Sequence, residues 1–248
     1  HVTTLDLKNP PRNETGDILL FLAGECFLDP GTVSELHAKG HQFDPGNASV
    51  LVHLYEERGP QFVRELNGWF SGVLLDAGRR RAVLFNDRYA MRKVYYHETP
   101  DGVGFASEAK ALLRANPSLR VIDPRSVAEY LCFDCVLDER SYFRDIRVLA
   151  PGSLWIFEGN RIEKTRYFDP AEYEAQEPLA AGPFQEELGA TFKRVLARYL
   201  RGEKLSLALT AGLDTRLILA CLGQTDPGVS TVTFCRLFVV TPSITKLR

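Results

Sequence analysis

Short runs of alternating apolar and polar residues, separated by turn signals, occupy residues 1 to about 115 and predict a β-rich segment. Val2–Leu7 alternates like a strand, and Asp17–Leu22 reads as another. Pro30-Gly31 then opens a helix over Thr32–Lys39, since proline suits a first helical position. Asn47–Glu57 and Gln61–Leu66 read as helical, the first with Val50, Leu51 and Leu54 on one face. Gly68–Asp76 and Arg81–Phe85 flank Ala77-Gly78-Arg79-Arg80, a hairpin turn. Lys93–His97 pairs with Gly102–Ser107 across Thr99-Pro100-Asp101-Gly102. Glu108–Ala115 and Asp123–Phe133 are predicted helices, each begun by an acidic or capping residue. Ser153–Glu158 and Arg161–Arg166 form a further hairpin turning at Gly159-Asn160. Residues 169–182 are acidic and Pro/Gly-punctuated, which suggests a linker, and Pro183–Arg201 is a long amphipathic helix.

The pattern changes at Leu205-Ser206-Leu207-Ala208-Leu209-Thr210-Ala211-Gly212-Leu213-Asp214-Thr215-Arg216. Small and aliphatic residues stop at a hydroxyl, two small residues and an acid, and Leu217-Ile218-Leu219-Ala220 restarts as a helix. A buried strand, a tight turn and a first helical turn gather free N–H groups at the positive end of a helix dipole, where a phosphate can sit. An ordinary strand-to-helix turn with Thr210 as N-cap accounts for the same residues. With Val229–Phe234 as the next strand, the order is a β-rich domain followed by the opening βαβ piece of a parallel α/β domain.

Composition narrows the function classes. A formal net charge of -2 argues against nucleic acid or an anionic membrane surface as main partner, and no apolar run reaches the roughly 20 residues of a membrane helix. The five cysteines, Cys26, Cys132, Cys135, Cys221 and Cys235, are odd in number and lie mostly in apolar segments, which suits reduced thiols in the cytoplasm. The chain opens on His1 without a targeting segment, and its tail over Arg236–Arg248 looks like an arbitrarily ended strand. A fragment cut at both ends is the expectation.

Several segments together resemble the glutamine-dependent asparagine synthetases and their relatives. Leu66-Asn67-Gly68-Trp69-Phe70-Ser71-Gly72 is similar to that family's L-N-G-M-F-A strand. The run from Asn86 to Tyr96 is similar to its R-D-R-x-G-x-x-P-L-Y-Y segment, and Phe105–Leu112 to its F-A-S-E-I-K-A-L. Leu149-Ala150-Pro151-Gly152 matches the P-G turn before its last N-domain hairpin. Thr210–Thr215 resembles its S-G-G-L-D-S pyrophosphate loop.

The resemblance implies an α+β, N-terminal-nucleophile-type αββα sandwich over residues 1–168, missing its N-terminus. A linker over 169–182 and the start of an α/β ATP pyrophosphatase (PP-loop) domain over 183–248 would follow. In this family an N-terminal cysteine attacks the glutamine side-chain amide. The second domain adenylates a carboxylate, and channelled ammonia displaces AMP. No cysteine of this chain falls at the nucleophile position, and Cys26 is expected to be a buried, inert thiol.

The family's glutamine-binding N-G-E segment aligns with Ala23-Gly24-Glu25, its acid for the substrate amine with Asn47, and its arginine for the substrate carboxylate with His1. A strand end plus a helix cap accounts for Glu25 and Asn47 about equally well. The implied ATP-binding residues are Leu209, Thr210, Ala211, Gly212, Leu213, Asp214 and Thr215, with Asp214 suited to a Mg²⁺ ion and Ala211 standing where the family has glycine. Asp87-Arg88 and Glu108-Lys110 are expected to be structural ion pairs. Implied partners are glutamine, ATP, a carboxylate acceptor (aspartate by default) and a second copy in a homodimer. Two rivals share these residues. One is a repurposed relative of the β-lactam synthetase or lasso-peptide cyclase type, whose glutaminase half has decayed. The other is a non-catalytic scaffold.

Overall fold

Antiparallel pairing organises the first part of the chain. Strands β1 (Val2–Thr3), β2 (Ile18–Phe27), β3 (Asn67–Asp76) and β4 (Arg81–Asn86) join β8 (Ser153–Glu158) and β9 (Arg161–Arg166) in a six-stranded sheet of order β1-β2-β3-β4-β8-β9. A second sheet has the order β6-β5-β7, from β5 (Tyr95–Thr99), β6 (Gly102–Ala106) and β7 (Arg147–Val148). The computed structural model describes residues 2–3, 10–44, 48–199, 205–210, 212–222 and 229–233. It comprises two units, His1–Ala175 and Gln176–Arg248. The positions of His1, Asn47 and Ala211, and the strand expected over Arg236–Arg248, lie outside the described residues.

Three apolar clusters define the layers of the first unit. Alternation along each strand sends successive side chains to opposite faces. Leu20 and Leu22 of β2, Leu74 of β3, Val83 and Phe85 of β4, and Leu154 of β8 form one face of the large sheet. They pack on Leu36 of helix α1 (Pro30–Ala38), on Leu51 and Leu54 of α2 (Ser49–Arg58), and on Phe62 and Val63. The intervening Leu84 and Trp155 turn the other way, onto Tyr96, Val94 and Leu149, so the two sheets meet face to face. Tyr95 and Ala106 point out of the small sheet onto Leu112 and Leu113 of α3 (Ala109–Ala115). The order of layers is therefore helix, sheet, sheet, helix, each apolar face covered by the next layer.

Where the structure departs from the sequence expectations, the reasons are local. Residues Gly59–Glu65 form a 3-10 helix rather than an α-helix, because Gly59-Pro60 interrupts α2 and Pro60 offers no N–H. Strand β2 continues to Phe27 instead of stopping at Leu22, so Ala23-Gly24-Glu25 lie within a paired ladder and not at a strand end. Helix α4 (Pro124–Phe133) begins as expected, with the Asp123 carboxylate accepting from Arg125 N. Within the expected linker, α5 (Ala171–Glu174) makes a single turn, and α6 (Ala181–Tyr199) starts before Pro183. A proline is tolerated there because first-turn N–H groups have no intrahelical acceptor. Among the described residues no helix is long and apolar enough to cross a membrane.

In the second unit, β10 (Leu205–Ala208) and β11 (Val229–Val232) pair in parallel from Leu205↔Val229 to Ala208↔Val232. Helix α7 (Leu213–Leu222) lies between them in sequence, the arrangement that parallel pairing requires.

Tyr55 supplies a pH-dependent element of the helix layer. Its hydroxyl donates to Asp76 Oδ2 at 2.9 Å. Burial, and then this hydrogen bond, push its pKa from 10.0 up to about 12. A folded value above the ordinary one favours the neutral form, so this contribution is complete below pH 10 and lost as pH rises through about 12. Stability is expected to fall over that range, and Tyr55→Phe to flatten the fall. Urea unfolding at about pH 9 and about pH 11 checks this; equal slopes for the two proteins would refute it.

Candidate functional site

The segment aligned with the glutamine pocket sits where two glycines let two strands approach. Gly24 has φ +107° and Gly68 has φ +130°, and they lie on neighbouring strands, opposite Phe70 and Cys26 respectively. A Cβ on Gly24 would meet the Trp69 carbonyl oxygen at 2.1 Å, and one on Gly68 would meet the Glu25 carbonyl oxygen at 2.2 Å. The contact therefore tolerates only glycine on either strand. It leaves Glu25 between Thr3 of β1 and Trp69 of β3 in the ladder. Trp69 is 38% exposed and meets Phe27 edge to face at 6.3 Å. Ala23, opposite Ser71, is partly exposed and carries only a methyl group where the family resemblance places an amide donor. Alternation buries Leu22 and Cys26 on the helix side instead. Burial, aided by the Asp87 charge, pushes the Cys26 thiol well up, which makes it an inert core residue.

Asp87 braces this region, and not through the ion pair expected from sequence. Its carboxylate is fully buried and accepts backbone N–H groups from Phe70 at 3.2 Å, Tyr89 at 3.0 Å, Met91 at 3.1 Å and Arg92 at 3.1 Å. Arg88 turns away and donates to Leu66 O, Asn67 Oδ1 and Arg64 O. Asn86, also fully buried, bridges Ala150 O and Ser153 N, while Tyr167 donates to its carbonyl at 2.8 Å. Burial pushes the Tyr167 hydroxyl upward, which keeps it a neutral donor. Ala90 is held at φ +51°, a conformation that the hydrogen bonds around Asp87 impose on a residue with a Cβ. Asn and Asp after an apolar run are a turn signal, and that signal was available in the sequence. The Glu108–Lys110 pair does form, on the surface.

The second candidate site is the β10–α7 junction. The Thr210 and Thr215 hydroxyls lie 3.3 Å apart, Gly212 N donates to Thr210 Oγ1 at 3.2 Å, and Thr215 Oγ1 donates to Thr210 O at 3.3 Å. This ring of hydroxyls closes the turn and sets the first turn of α7 against the end of β10. A Cβ on Gly212 would lie 3.2 Å from Thr210 Oγ1, so the turn is tight at that point. Leu209 N donates to Val232 O at 2.8 Å, which ties the junction to β11. Asp214 is exposed in the first helical turn, and Leu213 beside it is 76% exposed. Two hydroxyls, helix N-terminal N–H groups and one carboxylate are a chemistry that suits a phosphate with its cation.

Comparison with known proteins identifies the family of the first unit. The chain belongs to the glutamine amidotransferase domain family, whose pattern matches residues 2–168. Within that class it is similar to the asparagine synthetases. It is 38% identical over 213 residues to asparagine synthetase (glutamine-hydrolyzing) 3 of Arabidopsis thaliana, covering 84% of this chain and 31% of that protein. It is 35% identical over 115 residues to asparagine synthetase (glutamine-hydrolyzing) 2 of Bacillus subtilis (strain 168), covering 45% of this chain and 15% of that protein. The chain thus spans less than a third of these relatives' length. A solved structure of the glutamine phosphoribosylpyrophosphate amidotransferase of B. subtilis, complexed with ADP and GMP, overlaps it with a TM-score of 0.43 and 15% identity, over 63% of this chain and 30% of that one.

Proposed function

We propose that the chain is part of an asparagine-synthase-type ligase. Its first unit is a glutaminase-type domain of the N-terminal-nucleophile class, and its second the opening of an ATP pyrophosphatase domain. The observation that carries the reading is the in-register parallel β10–β11 pair with the Thr210–Thr215 hydroxyl ring, which follows a glutamine amidotransferase family domain. In this reading Leu209–Thr215 cradle the pyrophosphate of ATP, and Asp214 holds Mg²⁺. The bound nucleotide activates a carboxylate, aspartate by default, for attack by ammonia. Glu25 pairs with the glutamine amine, Asn47 takes the sequence position of the family's acid for that amine, and the Gly24 N–H serves the oxyanion. A cytoplasmic homodimer is the setting proposed for it.

Calorimetric titration of Mg·ATP into the complete protein tests this. Thr210→Ala is expected to weaken binding roughly tenfold or more, since a hydrogen bond to a charged group contributes about 1.5–3 kcal/mol. Absence of Mg·ATP binding, with Thr210→Ala making no difference, would leave only a scaffold.

One observation favours a second reading. Ala23 has no amide to offer, and loss of one oxyanion donor typically costs about 100-fold or more in rate. A glutaminase half of that kind serves as a framework, as in the β-lactam synthetase or lasso-peptide cyclase type. Comparing free ammonia with glutamine as nitrogen donor separates the two. Use of glutamine supports the amidotransferase, and use of neither nitrogen donor supports the repurposed enzyme, whose nucleophile is an amine of its own substrate.

A further inference from the structure

Two histidines and two carboxylates converge on the helix layer, at residues that neither candidate site uses. His53 and Glu56 lie one turn apart on α2, and His41 belongs to the segment between α1 and α2. His53 is only 2% exposed. Its Nδ1 lies 2.8 Å from Glu56 Oε2, and His41 Nδ1 lies 3.7 Å from that same oxygen. Glu14 Oε2 is 3.9 Å from His53 Nδ1. One ligand atom each from His41, His53 and Glu56 fall within 4.8 Å of one another.

The far sides of these groups are held from outside. Asn13 Nδ2 donates to Glu56 Oε1 at 2.9 Å. His41 Nε2 lies 3.0 Å from Glu57 Oε1, and Lys39 pairs with Glu57. Glu57, paired with Lys39, is thereby placed to orient the His41 ring. An imidazole fixed through one nitrogen by a carboxylate, with its other nitrogen directed at a shared oxygen, is the outer-shell arrangement that accompanies metal-binding histidines.

We infer that His41, His53 and Glu56 bind a divalent transition-metal ion of the zinc class, with Glu14 as fourth ligand. Two imidazoles and carboxylate oxygens are ligands such an ion takes in tetrahedral geometry. Bonds of about 2.0–2.1 Å place tetrahedral ligand atoms about 3.3 Å apart. The His53–Glu56 and His41–Glu56 pairs, at 2.8 and 3.7 Å, lie on either side of that spacing, and the exposed Glu14 carboxylate swings in to complete the shell. The ion would tie Glu14, His41 and α2 together, and so fix the segment that leads to Asn47. The site does not depend on the ligase reading.

Titration of the whole chain with Zn²⁺, and with Co²⁺ as an absorbing substitute, tests this by calorimetry and visible spectroscopy. Expected are one ion per chain, tetrahedral Co²⁺ bands without a thiolate charge-transfer band, and a raised melting temperature. His41→Ala and Glu56→Gln touch less buried residues than His53, so their folding can be verified by circular dichroism. Each is expected to weaken binding by more than about 100-fold, beyond the 10–100-fold typical of outer-shell changes. The exposed Cys132 and Cys135 are the competing ligands, and replacing both with serine should leave affinity unchanged. Three results overturn the proposal: no binding below millimolar metal, less than tenfold weakening in both variants, or loss of binding with the cysteines.

Discussion

Replacing Gly24 with alanine is expected to destabilise the first unit by about 3 kcal/mol or more. The new methyl group would sit 2.1 Å from the Trp69 carbonyl oxygen, which is backbone and cannot rotate aside. The φ of +107° adds strain that any L side chain would feel. Relief requires β2 and β3 to part between Gly24 and Gly68, which breaks the ladder that holds Glu25 beside Trp69. Gly16→Ala is the control. Gly16 also has positive φ, +75°, but a Cβ there would meet nothing within 4 Å. It should cost about 1–2 kcal/mol, the conformational term alone. Urea denaturation followed by circular dichroism measures both. A Gly24→Ala loss no greater than that of Gly16→Ala would show that the strands do not approach as described.

The alternation of residues along the strands made the sandwich legible, because period-two patterning and hairpin turns act over a few residues. The pair Ser153–Glu158 and Arg161–Arg166 is observed with the bounds read from sequence, closed by Glu158 opposite Arg161. Strand β7 was not legible. Its two residues, Arg147 and Val148, pair with Tyr95 and Tyr96 and carry no periodic signal. The setting of Ala23-Gly24-Glu25 was misplaced, since β2 runs on to Phe27. Glycine's weak strand propensity hides the continuation of β2 past Leu22. The reciprocal approach of Gly24 and Gly68 appears only once register is known, since 44 residues separate them in sequence by the difference of their numbers. The metal-ligand cluster was hidden for the same reason, with Glu14, His41 and His53 on three separate segments.

Asp87→Ala is expected to be the most damaging single change, because it removes an acceptor shared by many donors. Four backbone N–H groups converge on this carboxylate, from Phe70 on one side and from Tyr89, Met91 and Arg92 on the other. An unsatisfied buried donor costs about 1–3 kcal/mol. Some of the four would gain water in the cavity left behind, which puts the loss on the order of 4 kcal/mol. Asp87→Asn separates hydrogen bonding from volume. Its amide oxygen can still accept from one pair of N–H groups, while its NH₂ opposes the other pair, so it should lose less than alanine and more than a surface change. Because Phe70 adjoins Trp69 and the Gly24 contact, both variants should also loosen the β2–β3 edge that carries Glu25. Hydrogen exchange at the amides of Phe70, Tyr89, Met91 and Arg92 reports this directly, with protection falling at all four in step with stability. If both variants kept stability within about 1 kcal/mol, and those amides stayed protected, the N–H groups would have other acceptors and Asp87 would not brace the site.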